Sequence, residues 1–335
     1  MPAKRSHRRT QTGPRPAISA EARLIERYFA RPGRAGRFVS LGIGDDAAVT
    51  RMPAGYELVT ATDTLAESVH FPRGMPADAL GYRCLAVNLS DLAAMGAEPL
   101  WATLALSMPK AVPGWLQQFS RGFFSLADLH GVALVGGDTI RGPMVVSVTV
   151  LGRVKRGAFV GRAGARPGDG LYVSGHPGDA VAGRLALAGR LRGRGVARLR
   201  RRFLFPEPRL QAGRRLARIA SAMIDVSDGL HDDAGKLLRA SGCGAVLDPR
   251  HIPLSRDLLR LVGPRAGLEL ALTGGDDYEL LFALPPPREK HLARVAGRVD
   301  CALTRIGTVT AGRRVRWMQD GKPFEFRDRS FRHFG

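Results

Sequence analysis

The chain is short of cysteine, lysine and long apolar runs, and each shortage excludes something. Its three cysteines, Cys84, Cys243 and Cys301, are odd in number and far apart. No disulfide framework or CxxC metal site can be built from sequence neighbours, and a reducing cytoplasm is the simplest setting. No run of 18 apolar residues occurs, which argues against a transmembrane helix. The opening MPAKRSHRRTQTGPRP is basic and Pro-rich but leads into no apolar segment. Residues 1–17 are therefore expected to form a disordered tail, not an export signal. A P-loop is absent, because Gly235-Lys236 and Gly321-Lys322 are followed by Leu237 and Pro323. The HRD of a protein-kinase catalytic loop is also missing. Lysine occupies only positions 4, 110, 155, 236, 290 and 322, so the net charge of +21 is carried mainly by arginine. A basic surface suits nucleic acid, but an arginine-favouring genome explains the bias equally well. The Arg184–Arg202 cluster reads better as a solvated helical face plus a loop, and no specific nucleic-acid partner is expected.

What is present is ordinary globular composition, 44% hydrophobic and 24% charged over 335 residues, long enough for two domains. A short helix is expected over 18–30, with Ser19 as N-cap and Leu24, Ile25 and Phe29 on one side. A strand follows at Tyr56–Thr64. A helix capped by Asp78 should run to Met95, with Leu85, Leu89 and Leu92 in the core and Gly96 as its stop. Strands at Leu100–Met108 and Gly131–Val135 flank a helix near 114–129, and Met144–Val154 is the clearest strand. Gly, Pro and Arg crowd 155–170, which places a domain boundary there and gives domains of 18–154 and 155–335. Beyond it, strands are expected at 171–174, Ala222–Val226, 245–248, 278–284 and 301–309. Helices are expected near 178–190 and 208–219, and from Ser227 or Asp228 to Gly242. Alternation without a strict βαβ period predicts an α/β (α+β) fold, two domains with mixed sheets covered by helices.

Carboxylates recur beside small residues, often at strand or turn ends: Asp45 and Asp46 after Gly44, Asp63 between threonines, and Asp91 after Ser90. Asp138 follows Gly136-Gly137, Asp225 and Asp228 flank Ser227, and Asp276 and Asp277 follow Gly274-Gly275. Such oxygen ligands suit Mg²⁺ held jointly with substrate phosphates, and neighbouring glycines let backbone N–H groups approach those phosphates. Taken singly, each motif has a plain structural explanation as a turn or cap. Asp232 and Asp233 belong to a helix first turn, where they favour the dipole. His176 reads as structural and Trp317 as a core or docking aromatic. The repeated pattern is what points to a phosphate and metal site.

These segments, in this order, resemble the thiamine-monophosphate kinase family. The matching pieces are LGIGDDAAV (41–49), TDTLAESVHF (62–71), LAVNLSDLAAMGAEPLWATLALSMP (85–109), GGDTIRGP (136–143), RAGARPGD (162–169), IDVSDGL (224–230), LLRASGCGA (237–245) and TGGDDYEL (273–280). The resemblance implies two α/β domains, with the N-terminal domain pairing in a homodimer. It also implies transfer of the γ-phosphoryl group of ATP to thiamine monophosphate with several Mg²⁺ ions. It places Asp46, Thr62, Asp63, Asp91, Asp138, Asp225 and Asp228 with metal, and Gly137, Asp138, Arg162 and Ser227 with ATP. His70, Asp276 and Phe331 fall near the thiamine part, and Asp63, Asp91 and Asp228 form the catalytic set. This chain departs from the family pattern at Ala61, where Ser is common, and at Asp276, which replaces the Glu of GGEDYEL. Related scaffolds serve ATP-dependent cyclo-ligases and selenophosphate synthetases. The latter would need a reactive Cys near the N terminus, whereas the first here is Cys84, inside an expected helix. A phosphate monoester acceptor has a second pKa of about 6, so it needs no general base. Positioning and charge stabilisation are the expected means of catalysis, by direct in-line transfer.

Overall fold

A computed structural model describes residues 19–31 and 36–328; the expected tail over 1–17 and Phe331 lie outside these. The N-terminal half begins with α1 (Ala20–Tyr28), whose N-cap Ser19 accepts a hydrogen bond from the Ala22 amide as expected. Two short strands, β1 (Val39–Leu41) and β2 (Val49–Thr50), pair across the glycine-rich LGIGDD segment. Then come β3 (Tyr56–Ala66), α2 (Ala77–Ala94), β4 (Glu98–Met108), α3 (Pro113–His130), β5 (Ala133–Arg141) and β6 (Val145–Lys155). Their four-stranded sheet has the order β3-β6-β4-β5 and is mixed: β4 and β5 run parallel across the α3 crossover, and the other pairs are antiparallel.

The C-terminal half contains β7 (Gly170–Ser174), α4 (Asp179–Leu187), α5 (Val196–Leu204), α6 (Leu210–Leu216), β8 (Ala222–Val226), α7 (Leu230–Ser241) and β9 (Gly244–Leu247). It continues with α8 (Arg256–Thr273), β10 (Glu279–Leu284), α9 (Leu292–Ala296), β11 (Leu303–Thr310), β12 (Val315–Gln319) and β13 (Lys322–Pro323). The seven strands are ordered β13-β12-β9-β11-β7-β10-β8, with β9 and β12 parallel. Trp317 on β12 packs in this half's apolar cluster with Leu171, Ile224, Leu281 and Ile306.

Helix α2 is the axis of the molecule. Fifteen of its eighteen residues are buried, so it lacks the polar face of a surface helix. It touches β3, β4, β6 and α3 on one side and α5, α6, β8 and β10 on the other. Leu85, Leu89 and Leu92 join one apolar cluster with Phe119, Val148, Leu216 and Phe282, which ties the two halves together. The crossing of α2 and α3 depends on two glycines. A Cβ on Gly122 would lie 1.8 Å from the Asp78 carbonyl oxygen, and one on Gly81 would lie 2.0 Å from that of Phe119.

Two expectations about helices are corrected. Asp78 is not the cap of α2: Pro76 holds that position, and Asp78 lies in the first turn, accepting from the Ala79 amide. The helix expected from Ser227 or Asp228 starts at Leu230, because Gly229, with φ 122°, still belongs to the loop. Helix α8 carries no clean periodic signal, since Gly263 (φ 77°, ψ 170°) and Pro264 interrupt it. The Arg184–Arg202 cluster spans α4, a loop and α5. Several of its arginines have definite partners: Arg198 pairs with Asp257, Arg200 donates to the Ala186 carbonyl, and Arg202 pairs with buried Glu279.

Candidate active site

The alternation of β3 divides its side chains between two faces. Asp63 points with buried Leu65 toward α2, while Thr62 and Thr64 lie on the outer face. There Thr62 shares a 2.8 Å hydrogen bond with Thr149, and Thr64 one of 2.7 Å with Ser147. On the helix side, a cleft of about 600 Å³ is lined by Asp63, His70, Asp91, Arg162, Asp225, Ser227, Asp228, Lys236 and Asp276, among others. Thus eight of the expected site residues, from segments up to about two hundred positions apart, face one cavity.

Residues on α2 fasten the cleft carboxylates of three other segments. Asn88 Oδ1 accepts the Asp63 amide at 2.8 Å, while its Nδ2 donates to the Cys84 carbonyl. Ser90 Oγ donates to Asp225 Oδ2 at 2.7 Å. Arg83 forms an ion pair with Asp276, and α2 contributes Asp91 itself. Arg83, Asn88 and Ser90 were missed by motif reading. The available signal was polar residues inside a helix that is otherwise apolar all round, because buried polar groups require partners.

The loop after β8 is held from below. Asp233, fully buried, accepts the amides of Ser227, Asp228 and Gly229 on a single oxygen at 2.9, 3.0 and 3.2 Å. Beyond its expected helix-dipole role, it thus fixes the backbone that presents Ser227 and Asp228. Lys236 pairs with Asp228, Asp232 and Asp233, so that acidic trio already has a cation. Asp63, Asp91 and Asp225, by contrast, form no ion pair among the described residues. Burial raises all three carboxyls above the usual range, and mutual repulsion adds to this: Asp228 acts on Asp63, Asp225 and Asp63 on Asp91, and Asp233 and Asp63 on Asp225. Only Arg162, and for Asp225 the Ser90 hydroxyl, acts in the opposite direction. Clustered buried carboxylates with raised affinity for protons also favour a divalent cation.

His70 turns back on its own segment: Nδ1 accepts the Ala66 amide at 3.0 Å, which leaves the proton of the neutral ring on Nε2. Asp46, Gly137 and Asp138 are not in this cleft. With Asp45 they border a separate cavity of about 560 Å³, whose apolar wall includes Ile25 of α1, its C-cap Phe29 and Leu134 of β5. Asp138 is paired in register with Ala105, on the outer face with Thr62. Gly137, at φ 151°, passes so close to β4 that a Cβ would lie 1.8 Å from the Leu104 carbonyl oxygen.

The sequence matches the family of AIR synthase related proteins in both of its parts, the N-terminal domain over residues 44–154 and the C-terminal domain over 166–318. It is 42% identical to the thiamine-monophosphate kinase of Escherichia coli K12, over 94% of this chain and 98% of that protein. It is 36% identical to that of Haemophilus influenzae, over 93% and 97%. Among solved structures, thiamine-monophosphate kinase from Stenotrophomonas maltophilia K279a superposes with a TM-score of 0.81 at 43% identity, covering 90% of this chain and 96% of that one. AaThiL complexed with AMPPCP and TMP gives a TM-score of 0.75 at 34% identity, covering 87% and 92%.

Proposed function

Because the chain belongs to the thiamine-monophosphate kinase family of AIR-synthase-related proteins, we propose that it phosphorylates thiamine monophosphate with ATP, yielding thiamine diphosphate and ADP by direct in-line transfer. The observation that carries this reading is the convergence of Asp63, Asp91 and Asp225 with Arg162 and Asp276 in one cleft.

The acceptor is mostly dianionic at neutral pH, so the obstacle is bringing two polyanions together rather than removing a proton. Asp63, Asp91, Asp225 and Asp228 would hold Mg²⁺ in the cleft, where the ions would neutralise phosphate charge and steady the leaving group. Asp46, Thr62 and Asp138, bordering the second cavity or the outer face, are proposed as further metal contacts, and Gly137 and Asp138 as contacts to ATP. Arg162 offers a planar fork to phosphate oxygens. Ser227 presents its hydroxyl from the loop that Asp233 fixes through the backbone amides. His70 and Asp276 are proposed to meet the organic part of the acceptor, with Phe331 from outside the described residues.

We also propose a homodimer formed through the N-terminal half. This is supported by the outer face of its sheet, where Leu58 and Ile140 are about half exposed alongside Thr60, Thr62 and Thr64. A cytoplasmic setting is supported by three free cysteines. Among the described residues no helix is long and apolar enough to cross a membrane.

The deciding experiment is an ADP-release assay with ATP and Mg²⁺, comparing thiamine monophosphate with thiamine, AMP and no acceptor. Turnover with thiamine monophosphate alone, producing thiamine diphosphate, is expected. A folded, Mg²⁺-loaded protein inert toward it would overturn the assignment, and cyclo-ligase chemistry would be tested next. A phosphorylated enzyme trapped on the reaction path would overturn direct transfer.

A further inference from the structure

Arg83 is the largest fully buried side chain among the described residues, and stability does not explain it. Its side chain is completely buried between the two halves. One terminal nitrogen donates to the Phe203 carbonyl at 2.6 Å and the other pairs with Asp276, yet the buried Nε has no partner among the described residues. The guanidinium lies 4.3 Å from the Phe203 ring centroid and 5.5 Å from that of Tyr278. Burying a charge with one donor unmatched is commonly less stable than filling the same volume with apolar atoms. Retaining it calls for a task beyond packing.

That task is visible at the other end of the ion pair. Asp276 lines the cleft and sits at φ 73°, with Tyr278 at φ 52° two residues on. Two non-glycine residues in left-handed conformation within three positions make a strained loop that its surroundings must hold. The Asp276 amide donates to the Ser227 carbonyl at 2.8 Å, fastening the loop to the segment that carries Asp228. Asp276 Oδ1 takes Arg83 and, at 3.4 Å, the Tyr278 hydroxyl. Among the described residues Oδ2 has no hydrogen-bond partner.

We propose that Arg83 is a positioning residue for acceptor binding: without touching the acceptor, it holds the Asp276 carboxyl group as a fixed hydrogen-bond acceptor for an N–H or cationic group on the acceptor's organic part. This rests on the phosphotransfer reading above. It also gives the shorter Asp276 a compensation, because a carboxylate anchored by a buried guanidinium is preorganised. Binding of ATP and the attack on its γ-phosphate do not depend on the pair.

The test compares wild type with Arg83→Met, Arg83→Lys, Asp276→Asn and the Arg83→Met/Asp276→Asn double variant, measuring kcat and KM for each substrate together with thermal unfolding. Arg83→Met is expected to raise the KM for thiamine monophosphate ~10-fold or more, the scale of one charge-assisted hydrogen bond. The KM for ATP should stay within about twofold, and Arg83→Lys should recover part of the loss. The double variant should be no worse than Asp276→Asn alone, because Arg83 acts through that carboxylate. Equal rises in both KM values, a fall confined to kcat, or multiplying effects in the double variant would overturn the proposal. Should Arg83→Met fail to fold, Arg83→Lys and Asp276→Asn carry the test, and an unchanged KM for thiamine monophosphate in both would overturn it. Wild type that is inert toward thiamine monophosphate would overturn the functional reading first, and this inference with it.

Discussion

Asp91 illustrates a residue whose usefulness opposes stability. Burial, followed by the charges of Asp225 and Asp63, pushes its carboxyl up to about 8, against roughly 3.9 in an unfolded chain. The folded protein therefore binds a proton that the unfolded chain has released. The stability this confers is complete below about pH 4 and is lost as pH rises toward 8. His130 and His231, lowered by burial, act in the opposite sense, but only up to about pH 7. Thermal unfolding between pH 7 and 8.5 in a chelator should thus show a falling midpoint, and Asp91→Asn should flatten that fall and raise the midpoint at pH 8 by a few degrees. The same substitution should cut kcat at least ~10²-fold at saturating Mg²⁺, with Asp63→Asn behaving similarly. Near-normal rates in either variant would count against the metal assignments, and a chelated protein no less stable at pH 8.5 than at pH 7 would contradict the electrostatic account.

At the scale of elements, α2 does two tasks, packing both halves and fastening the cleft, and each leaves a different trace in the sequence. Packing was legible: Leu85, Leu89 and Leu92 follow helical spacing, and Gly96 marks the end. Among the cleft residues, Asp63, Asp91 and Asp225 were legible because carboxylates beside small residues are what a phosphate and metal site requires. The fastenings were not. Ser90 meets Asp225 across 135 positions and Arg83 meets Asp276 across 193, and no local pattern encodes such pairings. Helix α8 escaped for a different reason, since the Gly263-Pro264 interruption erases the periodicity on which helix reading depends. The helix crossing supplies a sharp test. Gly122→Ala forces a Cβ into the Asp78 backbone and should destabilise the protein by about 1–3 kcal/mol. A Cβ on Gly114, in the same helix, meets nothing within 4 Å, so Gly114→Ala should be neutral or stabilising by up to about 1 kcal/mol. Equal midpoints for the two variants in denaturant unfolding would refute the close-crossing argument.

The molecule as a whole leaves one large surface whose composition its own fold does not explain. Strand register places Thr149 between Thr62 and Thr103, and Ser147 between Thr64 and Ala105. The outer face of the four-stranded sheet is therefore a field of small hydroxyl and methyl side chains, edged by exposed Leu58 and Ile140. The rest of the surface is rich in arginine, and like-charged surfaces keep proteins apart. A face of threonine, serine, alanine and exposed aliphatics, with few charges, can instead pack closely against a copy of itself across a two-fold axis. Light scattering on the purified protein should give twice the chain mass of 36.1 kDa, and Ile140→Arg, placing charge in that face, should give the single mass with unfolding little changed. Ile140 lies two residues from Asp138 on the same face, so loss of the dimer should also weaken ATP binding while the Asp63–Asp91–Asp225 cleft stays intact. A wild-type protein that runs as a single chain yet turns over normally would remove the need for a partner at this face.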